Sequence, residues 1–192
     1  MKVDLKSIIN IFTVVDGNLY LLMNNDKLIE FDCYDEIDKS SNEYINKIIN
    51  NKKTNLKQCY TFSNKDTDKL TITVLYVDFV NCDSVKLLNN YKFVELNKIN
   101  NNIYISKSIE YLKKELVLID NIKKIYPDEF SLPEIQKLYE YLFDKKYDRR
   151  NFRKKLIKLN IIQDINKISS TKNGRPAKLY KFNEVQKEIS MF

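Results

Sequence analysis

Two helical periodicities near the C-terminal end of this chain are separated by only four residues, DKKY (144–147). Upstream, in FSLPEIQKLYEYLF (130–143), Leu132, Ile135, Leu138, Tyr139 and Leu142 recur at helical spacing and make one apolar face. Ser131 and Glu134 have the spacing of a capping box, and Pro133 falls in the first turn, where its missing N–H costs little. Phe130 and Ile135 occupy the positions of a hydrophobic staple. Downstream, Asp148 is placed to cap a second helix. At 100° per residue, Phe152, Leu156 and Leu159 share one side of it. Arg150, Asn151, Lys154, Lys155 and Lys158 lie broadly opposite, and Arg149 and Arg153 flank the apolar stripe. So short a connection between two amphipathic helices predicts a helix-turn-helix, whose second helix enters the major groove of DNA.

Two short strands are expected next, IIQDI (161–165) and LYKF (179–182), around the polar stretch KISSTKNGRPAK (167–178). That pattern reads as a β-hairpin wing. Lys172, Arg175 and Lys178 would sit on or near it. The chain has only four arginines, Arg149, Arg150, Arg153 and Arg175, and all of them fall in this module. Coding that favours AT-rich codons explains abundant Lys, but it would thin Arg evenly along the chain. The planar guanidinium fork binds phosphate and guanine edges in a way that Lys cannot copy.

Charge divides in the same place. Residues 1–122 carry 16 Lys, no Arg and 17 acidic groups, a net −1. Residues 123–192 carry 17 basic and 9 acidic groups, a net +8. A patch of this kind is the footprint of a polyanion, because each phosphate neutralised releases condensed counterions. Double-stranded DNA is the expected partner. RNA, or an acidic protein docking on a basic subdomain, are the other readings.

Much enzyme chemistry is excluded. With only Gly17 and Gly174, neither a P-loop nor a dinucleotide fingerprint can be built. The chain has no His, and its three cysteines (Cys33, Cys59, Cys82) are scattered. Zinc sites of the Cys/His kind, Ser-His-Asp triads and disulfide frameworks are thereby ruled out. Buried free thiols in a reducing cytoplasm are expected. No apolar run reaches membrane-spanning length, and the N-terminal apolar stretch lacks a cleavage site and leads into a turn. No catalytic residue, metal site or cofactor is expected.

The N-terminal part reads as mixed α/β. IINIFTVV (8–15), the Asp16-Gly17 turn and NLYLLMN (18–24) carry a hairpin signal. KQCYTFSN (57–64), the long apolar KLTITVLYVDFV (69–80) and YKFVELN (91–97) are further strands. SNEYINKIINNKK (41–53) has helical spacing, and a connecting helix is expected over 102–125. The domain boundary is expected at 122/123.

The segment DEFSLPEIQKLYEYLFDKKYDRRNFRKKLIKLNIIQDI and the later GRPAKLYKF resemble the C-terminal winged-helix domain of the NrtR family, the Nudix-related transcriptional regulators of bacteria. DRRNFRKKL and GRPAKLYKF carry the resemblance most specifically. DGNLYLLM and TNLKQCYTFSNKDTDKLTITVLYVDFV are similar to the strand framework of the family's Nudix-like domain, so the resemblance spans essentially the whole chain.

The resemblance implies an N-terminal α/β/α sandwich with a mixed sheet, followed by the winged helix. It implies a DNA-binding regulator, a repressor by expectation, acting as a homodimer on a palindromic operator under control of ADP-ribose or another nucleotide- or sugar-type metabolite. A working Nudix box ends in a helix with paired glutamates that hold Mg²⁺, and here the matching segment 41–53 has one carboxylate, Glu43, with Lys52 and Lys53 near the positions of the pair. The acidic run Glu30, Asp32, Asp35, Glu36 and Asp38 is read as an irregular, solvated loop. A fold kept without its metal site is therefore expected, with effector contacts unassigned. A residual nucleoside-diphosphate hydrolase is the alternative from the enzyme class.

Overall fold

The computed structural model describes residues 2–50, 54–116, 122–123, 125–126, 128–169 and 176–183. It divides into two compact units. The first is Met1–Thr13 with Leu19–Tyr111, and the second is Leu112–Phe192 with the short segment Val14–Asn18.

The first unit is built on strands β1 (Lys2–Val15), β2 (Asn18–Asn24), β3 (Ile29–Cys33), β5 (Lys57–Lys65), β6 (Lys69–Phe79) and β8 (Tyr91–Glu95), with a small pair formed by β4 (Ile49–Asn50) and β7 (Lys86–Leu87). The order is β5-β6-β1-β2-β8, and β3 also pairs with β1. β1 runs parallel to β6 along Lys2–Phe12 and antiparallel to β3 along Leu5–Ile9. The hairpin turn is made at Asp16 (φ 50°) and Gly17 (φ 74°), the pair of left-handed conformations that a two-residue turn requires.

β1 is the central strand, and Ser7–Thr13 are buried without interruption. Successive side chains of a strand point to opposite faces, so continuous burial means that both faces are covered. Ile9 and Ile11 pack with Ile45 and Ile48 of helix α1 (Ile37–Ile48), and Ser7 Oγ lies 2.7 Å from Ser41 Oγ. On the other face, Asn10 donates through Nδ2 to Ser108 Oγ (2.8 Å) on helix α2 (Ile103–Glu115). One helix on each face of a mixed sheet makes the expected α/β/α sandwich, and β6, buried at Val74–Val77, runs through its core.

The structure corrects the sequence reading of α1. The helix begins at Ile37 and ends at Ile48, and the chain continues into β4. Ile37, Ser41, Ile45 and Ile48 form its inner edge. Of the acidic run, Asp35 lies in the short irregular connection between β3 and α1, and the other four are placed on or next to regular elements. Glu30 and Asp32 lie on β3, Glu36 is the helix N-cap residue, and Asp38 sits in the first turn, where a negative charge meets the positive end of the helix dipole. Asp38 also accepts a hydrogen bond from the Tyr76 hydroxyl. Lys52 and Lys53 lie outside the described residues. α2 likewise ends at Glu115, and much of the expected extension to 125 is outside them. Cys33 is buried, Cys59 and Cys82 are half-buried, and all three are free thiols.

The second unit contains strand β9 (Phe130–Ser131), helices α3 (Leu132–Phe143) and α4 (Arg149–Lys158), and strands β10 (Ile162–Ile168) and β11 (Lys178–Phe182). The apolar face read from the sequence is the buried one: Leu132, Ile135, Leu138, Tyr139 and Leu142 of α3. The wing has three strands, ordered β10-β11-β9. The third pairs Phe130 with Tyr180 and Ser131 with Leu179, a two-residue bridge too short to register as strand periodicity. The capping box does not form in its usual way. Ser131 Oγ donates to Glu134 Oε1 (2.7 Å), and no side chain caps a backbone N–H at this end.

Candidate nucleic-acid interface

α4 is held to the second unit by two buried side chains, Phe152 and Leu156. The Phe152 ring lies 6.0 Å from that of Tyr139 and 5.7 Å from that of Tyr147. Asp148 Oδ1 accepts from the Asn151 N–H (2.8 Å), the N-cap expected from the sequence. The helix stops at Asn160 (φ 55°), which adopts the left-handed conformation as the Ile161 N–H returns to the Leu156 carbonyl (3.0 Å). Asn183 Nδ2 donates to the Asn160 carbonyl (2.9 Å), which fastens the end of β11 to the end of α4.

Everything else on α4 except Phe152 and Leu156 is solvent-exposed: Arg149, Arg150, Asn151, Arg153, Lys154, Lys155, Ile157 and Lys158. The predicted cations therefore share one accessible helix surface. Ile157 was missed by the sequence reading. It is an exposed aliphatic side chain (45%) among cations, of the kind that contacts a thymine methyl. Lys178 is exposed at the start of β11. Lys172 and Arg175 lie outside the described residues.

The turn before α4 is organised by a residue that its sequence context did not flag. Glu140 Oε1 accepts from Gln136 Nε2 (2.9 Å) and from the Tyr147 N–H (3.0 Å), and Glu140 Oε2 accepts from Lys146 Nζ (2.9 Å). Gln136 Nε2 also donates to the Tyr147 carbonyl (2.8 Å). These bonds, led by the Gln136 amide and the Tyr147 N–H, lower the Glu140 pKa from its ordinary 4.5 to about 2. A depressed carboxylate contributes stability that is complete above its unfolded pKa and is lost as pH falls toward its folded one. Glu140→Gln is thus expected to lower the melting temperature by several degrees near neutrality. The gap between the two proteins should close between pH 4.5 and pH 2, read by thermal melts of both across that window. A gap that stays constant would show that Glu140 acts through packing alone.

At the root of the wing, Asp164 Oδ1 accepts from the Asn166 N–H (2.9 Å), and the chain bulges with Asn166 at φ 55°. Asp164 Oδ2 faces Lys178 Nζ (3.1 Å) and an Arg153 guanidinium nitrogen (3.8 Å). The Asn166 N–H first, then Lys178 and Arg153, hold this carboxyl below the usual range. The Arg153 guanidinium stands 5.9 Å over the Tyr180 ring. Arg149, Arg153 and Lys178 line a cleft of about 560 Å³ that also touches Leu132, Pro133 and Tyr180.

A mixed-sheet sandwich and a separate unit with a cationic second helix and a three-stranded wing define a Nudix-like domain joined to a winged helix-turn-helix. Residues 124–182 match the NrtR DNA-binding winged helix domain. This match lies within the second unit and shows a winged helix domain of the NrtR DNA-binding type there. The chain is similar in structure to Shewanella oneidensis NrtR complexed with a 27mer DNA, with 19% identity, 93% of each chain covered and a TM-score of 0.68. It is similar as well to a second crystal structure of Shewanella oneidensis NrtR (19% identity, 93% of this chain and 94% of that one, TM-score 0.66). An Enterococcus faecalis MutT/nudix family protein also shares the fold (14% identity, 95% and 87% covered, TM-score 0.62). No match was found among curated proteins. Among the described residues, no helix is long and apolar enough to cross a membrane.

Proposed function

We propose that this chain is a DNA-binding transcriptional regulator, and that two copies bind a palindromic operator through paired winged helices. The observation that carries the reading is α4. Two apolar anchors bury one side of it and leave Arg149, Arg150, Asn151, Lys154, Lys155 and Lys158 on accessible surface, within a domain of the NrtR DNA-binding class. First-turn residues Arg149, Arg150 and Asn151 stand nearest the base edges, Arg153 and Lys158 serve phosphates, and Lys172, Arg175 and Lys178 serve the wing. Half-sites lie one helical turn apart, roughly 34–36 Å.

The first unit serves dimerisation and effector sensing and does not hydrolyse nucleotides. Of the α1 carboxylates, Asp38 and Glu43, Asp38 is engaged by the Tyr76 hydroxyl, which leaves a poor set for Mg²⁺ on a pyrophosphate. The effector is a nucleotide- or sugar-type metabolite of the ADP-ribose class, and the regulator is a repressor. The domain boundary falls near 122/123.

The test is binding to the duplex upstream of the protein's own gene against a scrambled duplex, with and without ADP-ribose. A preference for the native duplex is expected, and Arg150→Ala should cost roughly 1–3 kcal/mol on it and relax sequence choice. Equal loss on native and random duplexes would remove Arg150 from base reading. Equal binding of the intact protein to both duplexes would overturn the regulator.

A further inference from the structure

Arg153 and Lys178 come from different elements, α4 and β11, yet both turn toward one carboxylate, Asp164 Oδ2, at 3.8 and 3.1 Å. This carboxylate is held in place independently of them. Its other oxygen accepts the Asn166 N–H inside a bulge of β10, so its position is set by backbone. Arg149 and Arg153 of α4 and Lys178 of β11, all three solvent-exposed, line one cleft. A carboxylate fixed between two cations presents to them the charge and oxygens that a phosphate would bring.

We propose that Asp164 is a built-in competitor of DNA phosphate. In the free protein it neutralises the cations at the wing root, and a duplex must displace it from Arg153 and Lys178 before they contact the backbone. The proposal rests on the DNA-binding reading above. Its consequence falls on the phosphate part of binding, which every duplex shares, and base-edge contacts are untouched. Asp164 thus lowers affinity for any duplex, and random DNA, bound almost wholly through phosphates, reports the effect without base reading.

The test compares the intact chain with Asp164→Asn on a random-sequence duplex between 50 and 200 mM salt. The amide oxygen can still accept the Asn166 N–H, so the bulge is retained, and a thermal melt of each variant verifies folding. Glu129→Gln serves as the control, because it removes another acid, paired with Lys167, outside this cleft. Asp164→Asn should bind random duplex several-fold more tightly. The slope of log affinity against log salt should steepen by about 0.9, the release associated with one more phosphate contact. An unchanged slope in Asp164→Asn, or an equal gain in Glu129→Gln, overturns the competitor while leaving DNA binding intact. Failure of the intact protein and of Asp164→Asn to bind the duplex at 50 mM salt overturns both readings.

Discussion

Between 50 and 200 mM salt, affinity for duplex DNA is expected to fall by about a thousandfold. Six phosphate contacts give a log–log slope near −5, and a fourfold rise in salt then costs about three decades. The exposed cations on α4 and at the wing root, among them Arg153, Lys158 and Lys178, can supply contacts of this number. The effect is large because each contact adds its own counterion release. The measurement is fluorescence anisotropy with labelled random and upstream duplexes over the salt series. The two should fall in parallel, because salt acts on the phosphate part that both share, while the vertical offset between them reports base reading. A loss of less than tenfold would mean that the cationic surface of α4 is not laid against a phosphate backbone, and the acidic-protein reading would replace DNA.

Phe152→Ala is expected to destabilise the winged-helix unit by about 3–5 kcal/mol. The side chain is 4% exposed, and its ring packs between those of Tyr139 and Tyr147. Removing it deletes buried apolar area and leaves a cavity that its aromatic neighbours cannot easily fill. The cost falls on a helix poor in alternatives, since Leu156 is its other buried anchor. A loss of this size is a large share of the stability of a small domain. Denaturant unfolding followed by far-UV circular dichroism checks it, and DNA binding should be lost in the same titration range. If the midpoint moved by less than a quarter of the expected amount, α4 would have to be held by contacts other than these rings. Arg150→Ala, on the exposed side of the same helix, should leave stability unchanged, so the pair separates anchoring from contact.

How far the sequence reaches depends on how local the deciding interactions are. The helix-turn-helix was legible because its signals are local. Leu132, Ile135, Leu138, Tyr139 and Leu142 declare their face by spacing, and Asp148 caps the N–H three residues on. The long hairpin was legible for the same reason, since an Asp-Gly turn fixes its own geometry. The extent of α1 was not. Asp, Ser and Asn are weak helix formers, and the start at Ile37 is decided by Ser41, Ile45 and Ile48 finding the sheet face, together with Tyr76 reaching Asp38. β9 likewise exists only because β11 arrives beside it.

A basic winged helix on a mixed α/β domain is written into the order of the residues, since periodicity, caps and charge segregation are properties of chain neighbours. Which charges are engaged is settled only when the chain packs. Packing set Glu140 over the turn to fix the approach to α4, and it brought Asp164, eleven positions beyond Arg153 and fourteen before Lys178, between the two cations. Electrostatic pairing depends on distance in space, and that distance is set by the hydrogen-bond register of the wing and the packing of α4 beneath it.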